Sequence, residues 1–385
     1  MEGIMGREKR NTKAVVVAIL LLGLAVFTAA AAASALKWSR LGRLQGTTGA
    51  QPFVAALAAH PTDPDVLYVG AWLTTPGAAL IYRSADGGAT WQPAAAGLPT
   101  DVDANTGVVD LLLDPTDPDV LYVALHRRGI WRSDDAGATW QNLSGEALAA
   151  DEDVIALALD PGAPAALYAL SADGLIVLGG DGRWTARNRG LPDPQTVVYN
   201  GLALDPTDPG TLYIATNPEG LYRTTNGGRV WRENNYQLGQ GVRNVKGVAV
   251  SAGGDLFVSL RGVGLLRSAD DGRTWTPSQE GITFTNTLFG TISAPVFDPN
   301  QPDVALTYNS DGVFRSADGG ATWQRLSDGL SVMAVVTTLA FAPARPDVAY
   351  GGTAAGGVWM MAEQVTDPPR PPPPARLMFV PVIKK

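Results

Sequence analysis

Apolar residues along this chain come in short bursts, and the bursts repeat. Runs such as Phe53-Val-Ala-Ala-Leu-Ala-Ala59 and Val154-Ile-Ala-Leu-Ala-Leu159 each lead into a turn rich in Pro and Asp and then into a second β-rich run. The turn-and-strand segments read His60-Pro-Thr-Asp-Pro-Asp-Val-Leu-Tyr-Val69, Asp114-Pro-Thr-Asp-Pro-Asp-Val-Leu-Tyr-Val123 and Asp205-Pro-Thr-Asp-Pro-Gly-Thr-Leu-Tyr-Ile214. Weaker copies start at Asp160, Asp298 and Ala342, and a degraded one at Ser251. A third run ends in an apolar or aromatic residue followed by Arg, at Arg83, Arg132, Arg223, Arg267 and Arg315. Then comes a polar phrase that closes on Trp, and the Trp opens a fourth run. Short β-rich runs bounded by Pro, Asp and Gly predict strands joined by tight turns. Four of them per unit, in units of about 45–50 residues, predict the blade of a β-propeller.

The polar phrase is the most regular part of the repeat. It reads Ser84-Ala-Asp86-Gly-Gly88-Ala-Thr90-Trp91 and returns as Ser133-Asp-Asp135-Ala-Gly137-Ala-Thr-Trp140, Ser268-Ala-Asp270-Asp-Gly272-Arg-Thr-Trp275 and Ser316-Ala-Asp318-Gly-Gly320-Ala-Thr-Trp323. Thr224-Thr-Asn226-Gly-Gly228-Arg-Val-Trp231 is a variant, and Asp181-Gly-Arg-Trp184 a shortened form. The Asp and the hydroxyl two residues before it accept backbone N–H bonds within a turn. The Gly two residues after the Asp supplies a positive φ, and the Trp offers a large apolar face for packing between units. The phrase resembles the Asp-box, or bacterial neuraminidase repeat, of sialidases, xyloglucan-degrading glycosidases, sortilin-type receptors and photosystem II assembly factors. That resemblance implies a hairpin turn on a propeller blade, away from the functional face, so these residues are assigned to scaffold.

Counting units sharpens the fold. Seven copies of the first three strands are present, but the seventh, from Ala334 to Met361, lacks a box and a Trp-led fourth strand. Trp38-Ser-Arg-Leu-Gly-Arg-Leu44 matches Trp323-Gln-Arg-Leu-Ser-Asp-Gly-Leu330 with one deletion. The expectation is therefore an all-β, single seven-bladed propeller over residues 36–363, closed by its N-terminal strand. Trp38 should stand in blade seven where Trp323 stands in blade six, and residues 37–44 should pair with the Gly357–Met361 strand. Closure removes exposed sheet edges that would otherwise recruit other chains.

The flanks differ in character. Residues 1–35 carry Arg7, Lys9, Arg10 and Lys13 ahead of an apolar run from Ala14 to Ala33. This reads as a secretory signal with Ala33-Ser-Ala35 at the cleavage site, or as an uncleaved anchor, since the run is also about long enough to span a bilayer. Either reading sends the propeller to the outside of the cytoplasm, secreted or held in the cell envelope. Residues 364–385 form a Pro-rich linker, Asp367-Pro-Pro-Arg-Pro-Pro-Pro-Pro374, and an apolar tail, Leu377-Met-Phe-Val-Pro-Val-Ile383, which either docks on the propeller rim or serves as a sorting tag.

Composition narrows the chemistry. With 45% hydrophobic and 17% charged residues the 385-residue chain has ample material for a core. A net charge of −8 argues against nucleic acid and anionic lipid as partners. The absence of cysteine excludes disulfides, thiolate metal sites and cysteine nucleophiles. Two histidines cannot build a histidine-rich metal site. No cofactor and no metal are expected, and the chain is expected to be a monomer.

Blade topology places the Pro/Asp turns and the boxes on one face. The other face carries the second-to-third-strand turns and the blade-to-blade loops, which vary from unit to unit. Varied loops on a rigid scaffold are where binding concentrates. Those loops hold Trp72, His126, Arg127, Arg128, Tyr199, Asn235, Tyr236 and Arg243, together with Asn286 and Phe289. Aromatic rings beside amides and arginines suit a glycan or a peptide.

The family resemblance brings an enzyme reading into view. Sialidases hold the substrate carboxylate with three arginines, the first within an Arg-Ile-Pro motif before blade one. Here that stretch is Arg40-Leu-Gly-Arg43-Leu44, and the repeated blade arginines would be spread around the ring. Residues Phe53 to Tyr68 are similar to the opening blade of xyloglucanases, which place a catalytic Asp in the next loop and work between two propellers. The matching loop, Gly70-Ala-Trp72-Leu-Thr-Thr-Pro-Gly-Ala-Ala79, has no carboxylate. Asp101, Asp103, Asp151, Glu152 and Asp153 lie on that face as other acids. The photosystem II assembly factors, single exported propellers with protein clients, are the third relative. The expectation is a non-catalytic extracytoplasmic propeller that binds a protein or glycan, with a glycoside hydrolase as the alternative.

Overall fold

The structure is a computed structural model, which describes residues 36–46, 51–73, 78–103, 106–145, 147–148, 152–160, 162, 166–236, 238, 243–284, 291–331, 334–354 and 357–363. The signal or anchor segment, the Pro-rich linker with its tail, and Asn286 and Phe289 lie outside the described residues. Among the described residues all helical or strand structure is strand, arranged as seven four-stranded antiparallel sheets in a ring. Blade one is Phe53–Ala59, Val66–Trp72, Ile81–Ala85 and Gln92–Pro93, numbered from the channel outward. Blades two to six follow the same order.

Each blade is made by its sequence in the same way. The second strand is the most deeply buried: Val66 to Ala71 and Leu121 to Leu125 are buried throughout, because both faces of this strand meet neighbouring blades. First strands alternate less cleanly, since six of them carry a bulge near the start, at Val54/Ala56, Val108/Asp110, Val154/Ala156, Tyr199/Gly201, Val245/Gly247 and Val336/Thr338. A bulge increases twist and turns the following side chains. At Asp110 this directs the carboxylate sideways, where one oxygen accepts the Leu111 N–H (2.9 Å) and the other the Leu157 N–H of blade three (2.9 Å).

The ring closes through the N-terminal strand. Blade seven has the order Leu36–Arg40, Gly357–Glu363, Ala349–Thr353, Val336–Phe341 from rim to channel. Trp38 makes the same two bonds to its neighbour as Trp323 does: its indole N–H donates to Leu326 O (2.7 Å) and its backbone N–H to Asp328 O (2.8 Å). The Trp323 counterparts go to Ser278 O (2.9 Å) and Glu280 O (2.8 Å). Gly329 lets these backbones meet, since a Cβ there would lie 2.1 Å from Trp38 O. The strand is shorter than the expected 37–44. Leu44 instead forms a parallel bridge to Trp91 of blade one. Fourth strands here leave their blade after a few residues to lie beside the next Trp, as the Glu280–Thr322 bridge shows.

The box turns carry a fixed bonding scheme. Ser84 Oγ donates to Asp86 Oδ1 (2.8 Å) and accepts the Gly88 N–H (2.8 Å), while Asp86 accepts the Thr90 N–H (2.8 Å) and hydroxyl (2.6 Å). The same set recurs around Asp135, Asp270 and Asp318, and Asn226 keeps the side-chain and N–H parts of it. The boxes and the Pro/Asp turns share one face, as Gly87 N–H to Asp65 O (2.9 Å) and Gly319 N–H to Asp303 O (2.8 Å) show.

These bonds tie stability to pH. The Thr90 hydroxyl and N–H hold Asp86 below the ordinary carboxylate range, and Thr139 does the same for Asp135. The Thr274 N–H and hydroxyl bring Asp270 to about 2. Asp318 is partly buried, which pushes it up, but the Thr322 bonds prevail and it ends low. A carboxylate depressed in the folded state contributes stability that is present above the unfolded value near 4 and lost as pH falls through the folded value. The melting temperature should therefore drop between roughly pH 5 and 2. A variant with Asn at positions 86, 135, 270 and 318, as blade four already has at Asn226, should show a flatter decline over that window. An identical decline in the two proteins would contradict this account.

Candidate functional site

The variable-loop face brings part of the expected site together. The Trp72 ring, at the end of the second strand of blade one, lies on the backbone of Gly107, where a Cβ would come within 2.3 Å of the indole. It meets His126 of blade two at 4.9 Å between ring centroids with a 46° tilt. His126 Nε2 lies 3.1 Å and Arg127 Nε 3.5 Å from Asp153 Oδ1, which opens blade three. Arg128 donates to Asp101 Oδ2 (2.9 Å) and to Asp101 O (3.0 Å), and that guanidinium holds the Asp101 carboxyl below its usual range. Trp72, His126, Arg127, Arg128, Asp101 and Asp153 thus form one polar-aromatic cluster across three blades.

Arg127 has the most unusual backbone in it. It adopts φ 55, the left-handed region, within the turn Leu125-His-Arg-Arg-Gly129. Blade five has a turn of the same length, Leu260-Arg-Gly-Val-Gly264, with Gly262 (φ 76) at the matching place. A side chain other than Gly, Asn or Asp is disfavoured there. Its side chain is 61% exposed, so packing does not account for the choice.

The remaining candidates separate. Arg243 bridges Glu219 (3.5 Å) and Glu233 (3.3 Å) on the blade-four side of the face. Tyr236, in the loop that follows the Arg232–Glu233 strand, has 67% of its surface exposed. Asn235 is a structural cap: its Oδ1 accepts the Leu221 N–H (2.7 Å), and its amide donates to Glu219 O and Glu233 Oε1 (2.7 Å each). Ser144, Asn188 and Ser327 cap Ile130, Leu175 and Val313 from the same repeat position. Tyr199, expected as a ligand-contacting ring, is 3% exposed, and its hydroxyl donates to Pro192 O (2.9 Å). Burial pushes it up to about 12. Tyr199 takes the first buried position of the blade-four inner strand, where other blades have Val, so it belongs to the core.

Three apolar residues add to this face beyond the candidates drawn from its loops. Among the described residues the exposed large apolar side chains are Val198, Tyr236, Val263 and Val335, and all four sit at first-strand starts, blade-to-blade loops or second-to-third turns. None stands on the box face. The sequence signal for the three valines is weak, since a single Val beside a turn does not announce its exposure.

No protein-family model matches the chain. The xyloglucanase Xgh74A of Acetivibrio thermocellus is 27% identical over 195 residues, 46% of this chain and 19% of that protein. The chain spans between a tenth and about a quarter of the length of the curated xyloglucanases it matches. Among solved structures, YCF48 bound to D1 peptide superposes with a TM-score of 0.62 at 15% identity, covering 86% of this chain and 97% of that one. The extracellular domain of the putative one component system BT4673 from B. thetaiotaomicron gives 0.60 at 14% identity, covering 84% and 39%. The fold is therefore that of the seven-bladed propellers shared by YCF48, GH74 enzymes and these sensor domains. At the level of sequence the chain is similar to xyloglucanases over part of its length.

Proposed function

We propose that this protein is a non-catalytic, extracytoplasmic propeller that binds a protein or glycan partner through its variable-loop face. The observation that carries this is the makeup of that face. It combines the exposed apolar residues with the Trp72–His126–Arg127 cluster, and three of its described carboxylates are held by arginines, Asp101 by Arg128 and Glu219 and Glu233 by Arg243, while Asp153 Oδ1 lies 3.1 Å from His126 and 3.5 Å from Arg127. Glycoside hydrolysis needs two carboxyl groups about 5–10 Å apart, one of them able to give up a proton. Burial raises Asp110, but both its oxygens already accept backbone N–H groups. The YCF48 propeller carries a bound peptide, and the extracellular sensor domains supply a precedent for this fold outside the cytoplasm.

The alternative is a glycoside hydrolase, favoured by the local similarity to xyloglucanases. One experiment separates the two. The purified chain is incubated with xyloglucan, xyloglucan oligosaccharides and sialosides, and both reducing-end release and binding are followed. Binding of a glycan or of a cell-envelope protein with no bond cleavage is the expected result. Turnover abolished by replacing a variable-face carboxylate would establish the hydrolase instead.

A further inference from the structure

Five blades carry Arg at the same place near the end of the third strand, and in three of them the guanidinium is held by a carboxylate. Arg132 pairs with Asp134 (2.6 Å) of its own box, Arg223 with Asp271 (3.2 Å) of the next blade's box, and Arg267 with Asp255 just before the neighbouring Leu256–Leu260 strand. Around Arg83 of blade one, each of those three positions is apolar: Ala85 stands for Asp134, Ala136 for Asp271 and Val66 for Asp255. Arg83 donates from Nε to Tyr68 Oη (3.3 Å), and among the described residues it pairs with no carboxylate.

The space beside Arg83 is also open. In blades three, four and five the third residue after the box Trp covers the next blade's box turn. Arg187 donates to Gly227 O, Asn234 to Asp271 O (3.0 Å) and Ser278 to Gly320 O (2.5 Å), while Leu326 is buried at its junction. In blade one that residue is Ala94, followed by Ala95 and Ala96. The result is a groove of about 490 Å3 between blades one and two, lined by these alanines, Arg83, Asp86, Asp135 and Ala136. Arg315 also pairs with no carboxylate among the described residues, but Leu326 fills the corresponding place.

We propose that this groove on the box face is a second binding site, which takes a single carboxylate carried on a compact uncharged body, the carboxylate completing for Arg83 the ion pair that Asp271 completes for Arg223. A volume of this size suits a small ligand or the end of a peptide, and a guanidinium matches a carboxylate in a planar, two-pronged way. Asp86 and Asp135, which line the groove and are held ionised by Thr90 and Thr139, repel a second negative charge on the ligand once the first is paired with Arg83. The site is therefore selective for a monoanion over a dianion. It lies on the opposite face from the cluster around Trp72 and is independent of it.

The test is calorimetric titration of the full chain with N-acetylalanine, its amide, glucuronate and succinate. N-acetylalanine should bind saturably, and the amide and succinate at least about tenfold more weakly, a gap of one decade in affinity. Glucuronate binding as well as or better than N-acetylalanine would assign the carboxylate to a sugar, and the reverse order would assign it to a peptide end. Either order supports the site. Ala94→Leu, which copies Leu326, and Ala136→Asp, which copies Asp271, should each abolish binding. Ala136 has φ 55 and Asp271 φ 58, so the Asp fits the backbone and folding is retained. Arg83→Gln should also abolish it, and Arg127→Gly should leave it unchanged. Equal binding of acid and amide, no saturable binding of any carboxylate, or binding that survives Ala94→Leu and Ala136→Asp would overturn the proposal.

Discussion

Replacing Trp38 with Ala should lower the stability of the whole propeller by about 3–5 kcal/mol, the cost of deleting a buried aromatic ring. The ring is 3% exposed, and its indole N–H donates to Leu326 O in blade six. The loss is not confined to blade seven. The Leu36–Arg40 strand is the outer edge of that blade, and its continuation reaches blade one through the Leu41–Gly42 segment, where the Gly42 N–H donates to Gly88 O (2.8 Å). A loosened strand therefore opens the seam between the first and last blades. Urea denaturation should show one cooperative transition shifted to lower concentration, with its slope unchanged. A second, separate transition, with six blades still folded, would show that the closing strand acts only locally. Trp323→Ala, in the interior of the repeat, is the matched comparison, since its neighbours are joined by continuous chain.

The closing strand is legible in the sequence because a repeat defines what is missing. Blade seven has no Trp-led fourth strand of its own, and one Trp-led segment stands unassigned at the other end of the chain. The same logic, carried further, places two residues that their chemistry alone misassigns. Tyr199 aligns with Val54, Val108, Val154, Val245 and Val336, all buried, so its place in the repeat is a core place regardless of its aromatic chemistry. Asn235 aligns with Ser144, Asn188 and Ser327, small polar residues that cap a third strand. Both residues fall in segments that look irregular because the repeat is aligned by its boxes, and alignment fades with distance from them. The ion pairs of the variable face are not legible at all. Arg127 with Asp153 and Arg128 with Asp101 join residues from different loops, and their meeting depends on the ring geometry. In the sequence Arg83 is one repeated arginine among several. That it pairs with no carboxylate among the described residues emerges when the three carboxylate positions are compared blade by blade.

Arg127→Gly should separate binding from folding on the variable-loop face. At φ 55, Arg127 occupies a conformation that Gly262 adopts freely in the matching turn of blade five. Relieving that strain is worth on the order of 1 kcal/mol. Against it stands the greater chain entropy of Gly in the unfolded state, of about 0.4–1 kcal/mol. The Arg127–Asp153 contact, at 3.5 Å with a largely exposed guanidinium, adds little. The melting temperature should consequently stay within a few degrees of the wild type or rise. Binding of the partner found in the glycan and envelope-protein screen should fall at least about tenfold, as expected when a charged contact at the centre of an interface is removed. Tyr236→Ala then reports whether the same partner reaches across to blade four, since its ring is exposed and its removal opens no cavity. If Arg127→Gly destabilises the propeller by several kcal/mol and leaves binding intact, the arginine is part of the turn's architecture, and the partner docks elsewhere on the ring.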